Sequence, residues 1–132
     1  MLLPHGLQAV EPLPDGNQLA RTIRELIPEK NIEIRATMEV IERGRKRLKT
    51  GILIRVEKPG QAQWCITYEV SRDGKVAELW KVCHELGQAN RYEQKGRLVK
   101  RAEIYSDLAG SSFYIADFGM EFLYWPNQTV LK

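Results

Sequence analysis

The sequence predicts an α+β fold: a curved antiparallel sheet with one apolar face and one wet face, and helices to cover the apolar side. Three observations predict it. Residues 32–70 alternate apolar and polar side chains with a period of two, the signature of strands that cover one face only. Residues 15–27 repeat Leu19, Ala20, Ile23, Leu26 and Ile27 at helical spacing. Residues 113–123 carry Phe113, Ala116, Met120 and Leu123 near the same spacing, in the most aromatic stretch of the chain.

In chain order, residues 1–14 hold Pro4, Pro12 and Pro14 without periodicity and read as an irregular leader. The domain then runs over 15–132. Asp15-Gly16-Asn17 can cap the first helix, and Pro28 stops it. This amphipathic helix is a natural cover for the sheet. The first strand carries Ile32, Ile34, Ala36, Met38 and Val40 on one face. The second carries Leu48, Thr50, Ile52, Ile54 and Val56, and the third Ala62, Trp64, Ile66, Tyr68 and Val70.

In these strands the even-numbered residues face inward, so each connecting loop must hold an odd number of residues. Gly44-Arg45-Lys46 fits the first loop and pairs Val40 with Thr50 and Ile34 with Val56. Lys58-Pro59-Gly60 fits the second and pairs Ile54 with Trp64 and Ile52 with Ile66.

A fourth strand is predicted over residues 75–86, after Asp73-Gly74. Its register has two solutions. A two-residue turn puts Ala77, Leu79, Lys81 and Cys83 inward. A longer loop puts Val76, Glu78, Trp80, Val82 and His84 inward, and burial of Trp80 and Val82 favours that solution. Residues 87–95 read as a loop or a short strand near Arg91-Tyr92, and residues 97–104 as a further, weakly patterned strand. Ser111 or Ser112 can cap the late helix, Gly119 can break it in two, and Trp125-Pro126 ends it. Thr129-Val130-Leu131 reads as the start of another strand, so the chain is expected to be the amino-terminal part of a longer protein.

The charge balance, 20 Lys+Arg against 17 Asp+Glu, is too even for a dedicated nucleic-acid binder. Basic residues interleaved with exposed aromatics are missing too. The basic run Arg43, Arg45, Lys46, Arg47 and Lys49 falls at a hairpin tip and reads first as a solvated turn, with an anionic headgroup or partner contact as the alternative. No run reaches the roughly 18 apolar residues of a membrane helix. Cys65 and Cys83 form no CxxC pair, and His5 and His84 are the only histidines, so a metal site is not expected. The two cysteines read either as free, half-buried thiols or as one disulfide in an oxidising compartment.

No set of groups points to catalysis. Cys83 and His84 are adjacent in a strand and point to opposite faces. Asp107 and Asp117 read as a turn residue and as a solvent-facing helix or cap residue. The aromatic segment reads either as core packing or as a lid over a hydrophobic cavity.

Residues 112–128, SFYIADFGMEFLYWPNQ, resemble the Ser/Asp-Phe-x-Ile-Ala-Asp-Leu-Gly-Leu-Glu-Phe-x-x-Trp-Pro-x-Gln segment of the bacterial outer-membrane lipoprotein-sorting proteins with a LolA-like fold. The leading helix, Trp64 and Tyr68 in one strand, and Asn90 and Tyr92 before the late segment agree in outline. The resemblance implies an incomplete antiparallel half-barrel whose concave face is plugged by helices. It implies a periplasmic, non-enzymatic carrier without cofactors that binds lipid or lipoprotein acyl chains, served by membrane-anchored donor and acceptor proteins. A sensor or protein-interaction module with a closed core is the alternative. The implied cavity wall is Ile32, Ile34, Met38, Ile52, Ile54, Val56, Trp64, Ile66, Tyr68, Phe113, Ala116 and Met120. Residues 1–6 lack the basic region and long apolar core of a secretion signal, which the family normally has, and the expectation is either a cytosolic protein or a signal removed from or not captured in this sequence. A truncated sheet of this kind would also expose strand edges to another chain.

Overall fold

The computed structural model describes residues 11–44 and 47–131. Residues 1–10 of the expected leader, and Arg45 and Lys46 of the basic run, lie outside the described residues.

The fold is α+β. Six antiparallel strands follow one another in a meander: β1 (Ile32–Ile41), β2 (Arg47–Glu57), β3 (Gln63–Arg72), β4 (Lys75–Glu85), β5 (Arg91–Gln94) and β6 (Arg97–Leu98). The sheet does not close on itself. Helix α1 (Gly16–Arg24) precedes it. A 3-10 turn (Arg101–Tyr105), helix α2 (Ile115–Phe118) and a second 3-10 turn (Glu121–Tyr124) follow it.

The even-numbered residues of β1 to β3 do share one face, but the registers differ from expectation. Val40 pairs with Leu48 and Ile34 with Ile54, a slip of two residues. The hairpin is centred on Gly44, whose φ of 104° suits a residue without a Cβ, and the loop is longer than three residues. Between β2 and β3, Ile54 pairs with Tyr68 and Ile52 with Val70, a slip of four. Pro59 and Gly60 do not make a tight turn; β2 ends at Glu57, where the amide of Lys58 donates to Asn31 Oδ1 at 3.1 Å, and β3 begins only at Gln63.

The fourth strand reconciles its two alternatives. The turn is the tight one, with Asp73 and Gly74 both at positive φ (51° and 74°). Yet Trp80, Val82 and His84 are buried on the apolar face. A β-bulge at Val70/Ser71 changes the parity: Ser71 pairs with Val76 and Val70 with Glu78, which leaves Ala77 as the extra residue. The bulge also corrects one inward assignment. Val76 lies before it, on the other face, and is exposed.

Asp15 caps α1, its Oδ1 accepting from the amides of Asn17 (2.8 Å) and Gln18 (3.2 Å). The helix ends at Arg24, short of Pro28, and does not serve as the expected cover of the sheet. It packs on the Glu121–Tyr124 turn, buries only Ala20, and leaves Leu19, Ile23 and Leu26 exposed. The Arg24 guanidinium stacks 4.7 Å over the Tyr124 ring and donates to the Leu123 carbonyl. Residues 97–104 are strand only at Arg97–Leu98 and then turn into the first 3-10 turn. Residues 129–131 are not part of a strand.

The late segment does break at Gly119, where Met120 takes a left-handed φ of 52°. The cap of α2 is not Ser111 or Ser112. Tyr114 occupies that position, and its amide donates to Asp117 Oδ2. Cys65 and Cys83 face each other across β3 and β4 and are disulfide-bonded.

Candidate functional site: an apolar face covered on one half

The even-numbered residues line up in rows across the strands. One row runs Ile32, Val56, Ile66, Val82, Tyr92; the next runs Ile34, Ile54, Tyr68, Trp80, Gln94; a third runs Ala36, Ile52, Val70, Glu78. Over β3 to β5 these rows form the core with Ile104, Leu108, Ala109, Ile115 and Ala116 from the segment after the sheet. Val70 and Val82 are 0% exposed there. Toward β1 the same rows come out into solvent: Ile32 is 41% and Ile34 is 47% exposed, and Ile54, Val56 and Ile66 are half-buried between the two regimes.

The cover ends in an aromatic rim. Phe118 meets the Tyr68 ring edge-on at 5.2 Å, and Phe113 meets Phe118 at 6.2 Å. The Tyr68 hydroxyl donates to the Phe118 carbonyl at 3.4 Å, and burial pushes its phenol up to about 12. Phe113 is 56% exposed at the rim.

Of the predicted wall residues, Ile52, Tyr68 and Ala116 are core, and Trp64 is buried at the end of β3, stacked on His84 at 5.3 Å. Ile54, Ile66 and Met38 are partly buried against that core. Ile32, Ile34 and Phe113 are exposed, and Met120 sits exposed at the break after α2. The predicted set thus divides between a closed core and an open strip. Among the described residues, clefts of about 210 to 400 Å³ lie elsewhere, one of about 400 Å³ between α1 and residues 123–128.

Two inward polar residues of β4 tie the cover to the sheet. Glu78 Oε2 accepts from the Ala109 amide at 2.8 Å. His84 Nδ1 meets Asn90 Oδ1 at 2.8 Å, and Asn90 Nδ2 donates to the Gly119 carbonyl (2.9 Å) and to Glu121 Oε2 (3.1 Å). The Tyr92 hydroxyl donates to the same Glu121 oxygen at 2.8 Å, and the Tyr124 hydroxyl to Asn90 Oδ1 at 3.0 Å. Glu121 is only 6% exposed, and Arg101 approaches its other oxygen at 3.6 Å.

Burial, and after it the Glu121 carboxylate, pushes the Tyr92 phenol well above its ordinary value. Burial holds His84 below the usual imidazole range, against the opposing pull of Asn90 and Glu121. Gly119 lies against Tyr92 so closely that a Cβ would collide with the phenol. Sequence reasoning placed Asn90, Tyr92 and Glu121 in a motif but gave them no role. The available signal was a lone acid, Glu121, between Met120 and Phe122 in an otherwise apolar run.

Three of the residues weighed for catalysis are held in structural contacts. Cys83 is disulfide-bonded, His84 is bonded to Asn90, and Asp117 caps α2. Among the described residues no group of three or more His, Cys, Asp or Glu is placed to hold a metal ion. No described helix is long and apolar enough to cross a membrane. No match is found among protein-family models, curated proteins or solved structures.

Proposed function

We propose that this chain is a non-catalytic periplasmic carrier or sorting protein. In this reading an acyl chain of a lipid or lipoprotein lies on the open half of the sheet, against the aromatic rim. The sheet acts as an incomplete half-barrel, and membrane-anchored proteins deliver and take up the cargo. One observation carries the reading: Ile32 and Ile34 stand exposed on the very rows whose continuation, Val82 and Trp80, is buried. Burial of an acyl chain is worth about 0.8 kcal/mol per CH₂, so such a strip needs no polar anchor to hold one. The Cys65–Cys83 disulfide supports an oxidising compartment. The resemblance of residues 112–128 supports the family of cargo.

The test is titration with a fluorescent fatty-acyl probe, dansyl-undecanoic acid, on the wild type and on Ile34→Glu. Ile34 is exposed, so the variant is expected to fold. Saturable binding that weakens roughly tenfold or more in the variant supports the carrier. Undiminished binding in a folded variant, or none in the wild type, overturns it. The core already closed over β3 to β5 favours a second reading, a sensor or protein-interaction module on the same fold. That reading expects no acyl binding at all.

A further inference from the structure

We infer that the outer edge of β1 is a self-pairing surface, through which two copies of this chain join antiparallel about a two-fold axis centred on Thr37. The inference is independent of the acyl-binding reading. β1 is the first strand of the sheet order, and among the described residues no strand pairs with its outer side. An edge strand is normally protected by shortness, by proline, by a bulge or by charged side chains. β1 runs for 10 residues without proline and its register with β2 is unbroken; its charges, Glu33, Arg35 and Glu39, are of mixed sign and so can pair with a second copy as well as repel one.

The hydrogen-bonding phase of that edge follows from the ladder. The Leu86 amide donates to the Ala62 carbonyl at 3.0 Å, so even-numbered positions are the bonded pairs between β3 and β4. Bonded and non-bonded pairs alternate, and each strand turns opposite sets of groups to its two neighbours. Odd-numbered residues of β3 therefore bond to β2, even-numbered residues of β2 bond to β1, and the N–H and C=O groups of Glu33, Arg35, Thr37, Glu39 and Ile41 point outward.

Charge then selects the register. A two-fold pairing that keeps the apolar faces on one side must be centred on a residue. Centring on Arg35 sets Arg35 against itself, and centring on Ala36 sets Glu33 against Glu39. Centring on Met38 pairs no opposite charges within β1. Centring on Ile34 pairs Glu33 with Arg35 but uses only about half of β1. Centring on Thr37 sets Arg35 against Glu39 of the second copy, twice by symmetry, and uses nearly the whole strand. On the apolar face it sets Ile34 against Val40 and Ala36 against Met38. Thr37 then faces Thr37 with its N–H and C=O in the bonding phase. The present partners of the two charges, Glu33 for Arg35 at 3.1 Å and Arg47 for Glu39 at 3.2 Å, are solvent-exposed pairs that exchange easily.

The experiment is sedimentation equilibrium across a concentration series, with thermal unfolding as a check on folding. The expected wild type is a reversible dimer. Arg35→Glu should raise the dissociation constant roughly tenfold or more, and Arg35→Glu combined with Glu39→Arg should restore it. Thr37→Cys should cross-link to itself with a short bismaleimide, and Glu33→Cys should not. A monomer at every soluble concentration overturns the proposal, whatever else the edge then binds. So does a dimer indifferent to Arg35→Glu, or one that the double variant fails to restore.

Discussion

The two halves of the apolar face carry the same pattern and meet different fates. Ile32, Ile34 and Ala36 on β1 alternate as regularly as Trp64, Ile66, Tyr68 and Val70 on β3. Over β3 to β5 a long cover lies on the face and makes it a core; on β1 Met38 packs partly against that core, while Ile32 and Ile34 stand exposed. Period-two alternation therefore states which side of a strand can be buried. Burial itself depends on a segment far away in sequence, here residues 101–124, and on the polar contacts that hold it down. Most of those contacts lie on the β4–β5 side: Glu78 to Ala109, and His84 through Asn90 to Gly119 and Glu121; from β3 the Tyr68 hydroxyl adds one to the Phe118 carbonyl.

The contrast is broken most severely by truncating one residue on each half. Trp80 is 3% exposed in the core, and Trp80→Ala is expected to cost about 3–5 kcal/mol through lost burial and the cavity left behind. Ile34→Ala, in the next strands of the same row, is expected to cost less than about 1 kcal/mol. Urea unfolding with a common m-value measures both. Equal losses would mean that the β1 half is covered after all, and the distinction between the halves would fall.

A smaller effect sharpens the role of the polar contacts. Glu121→Ala removes the acceptor of the buried Tyr92 hydroxyl and one of the two acceptors of Asn90 Nδ2, an expected loss of about 1–3 kcal/mol. Amide hydrogen exchange should show residues 115–124 losing protection before β3 and β4 do, because the variant loosens the cover and leaves the ladder intact. Loss of protection in both regions at once would make cover and sheet a single cooperative unit.

Much of this architecture was legible in local pattern. Helix α1, the first four strands and the break at Gly119 follow from spacing and composition, and the shared face of β1 to β3 follows from the period-two alternation, which in turn fixes loop parity. The registers did not, because parity is preserved by any even slip: Gly44 and the bent loop at residues 58–62 set the actual pairings. In β4 the tight Asp73-Gly74 turn implied one face, and the bulge at Val70/Ser71, which leaves no mark in the apolar pattern, delivered the other. The ambiguity had a second source. Glu78 and His84 interrupt the apolar face of β4, and both do so because they grip the cover. The open half of the face was not legible at all, since its strands read the same whether covered or bare.

His84 offers the mildest perturbation of the contrast, because it acts on the covered half alone and through pH. Its ring is buried, stacked on Trp64 and bonded to Asn90, and burial lowers its proton affinity below the unfolded value of about 6.5. The unfolded chain then binds the proton more readily than the folded one between the two pKa values, so the stability contributed by the neutral ring is fully present above about pH 6.5 and is lost as pH falls toward the folded value. Urea midpoints measured between about pH 7 and 5 should decline in the wild type and decline less in His84→Gln, which cannot take up that proton. The opposing pull of Glu121 on the imidazolium keeps the effect smaller than that of Glu121→Ala. Midpoints of wild type and variant that fall in parallel would mean that His84 takes up its proton without disturbing the cover, which the contacts of Glu78 to Ala109 and of Asn90 to Gly119 and Glu121 would then hold in place.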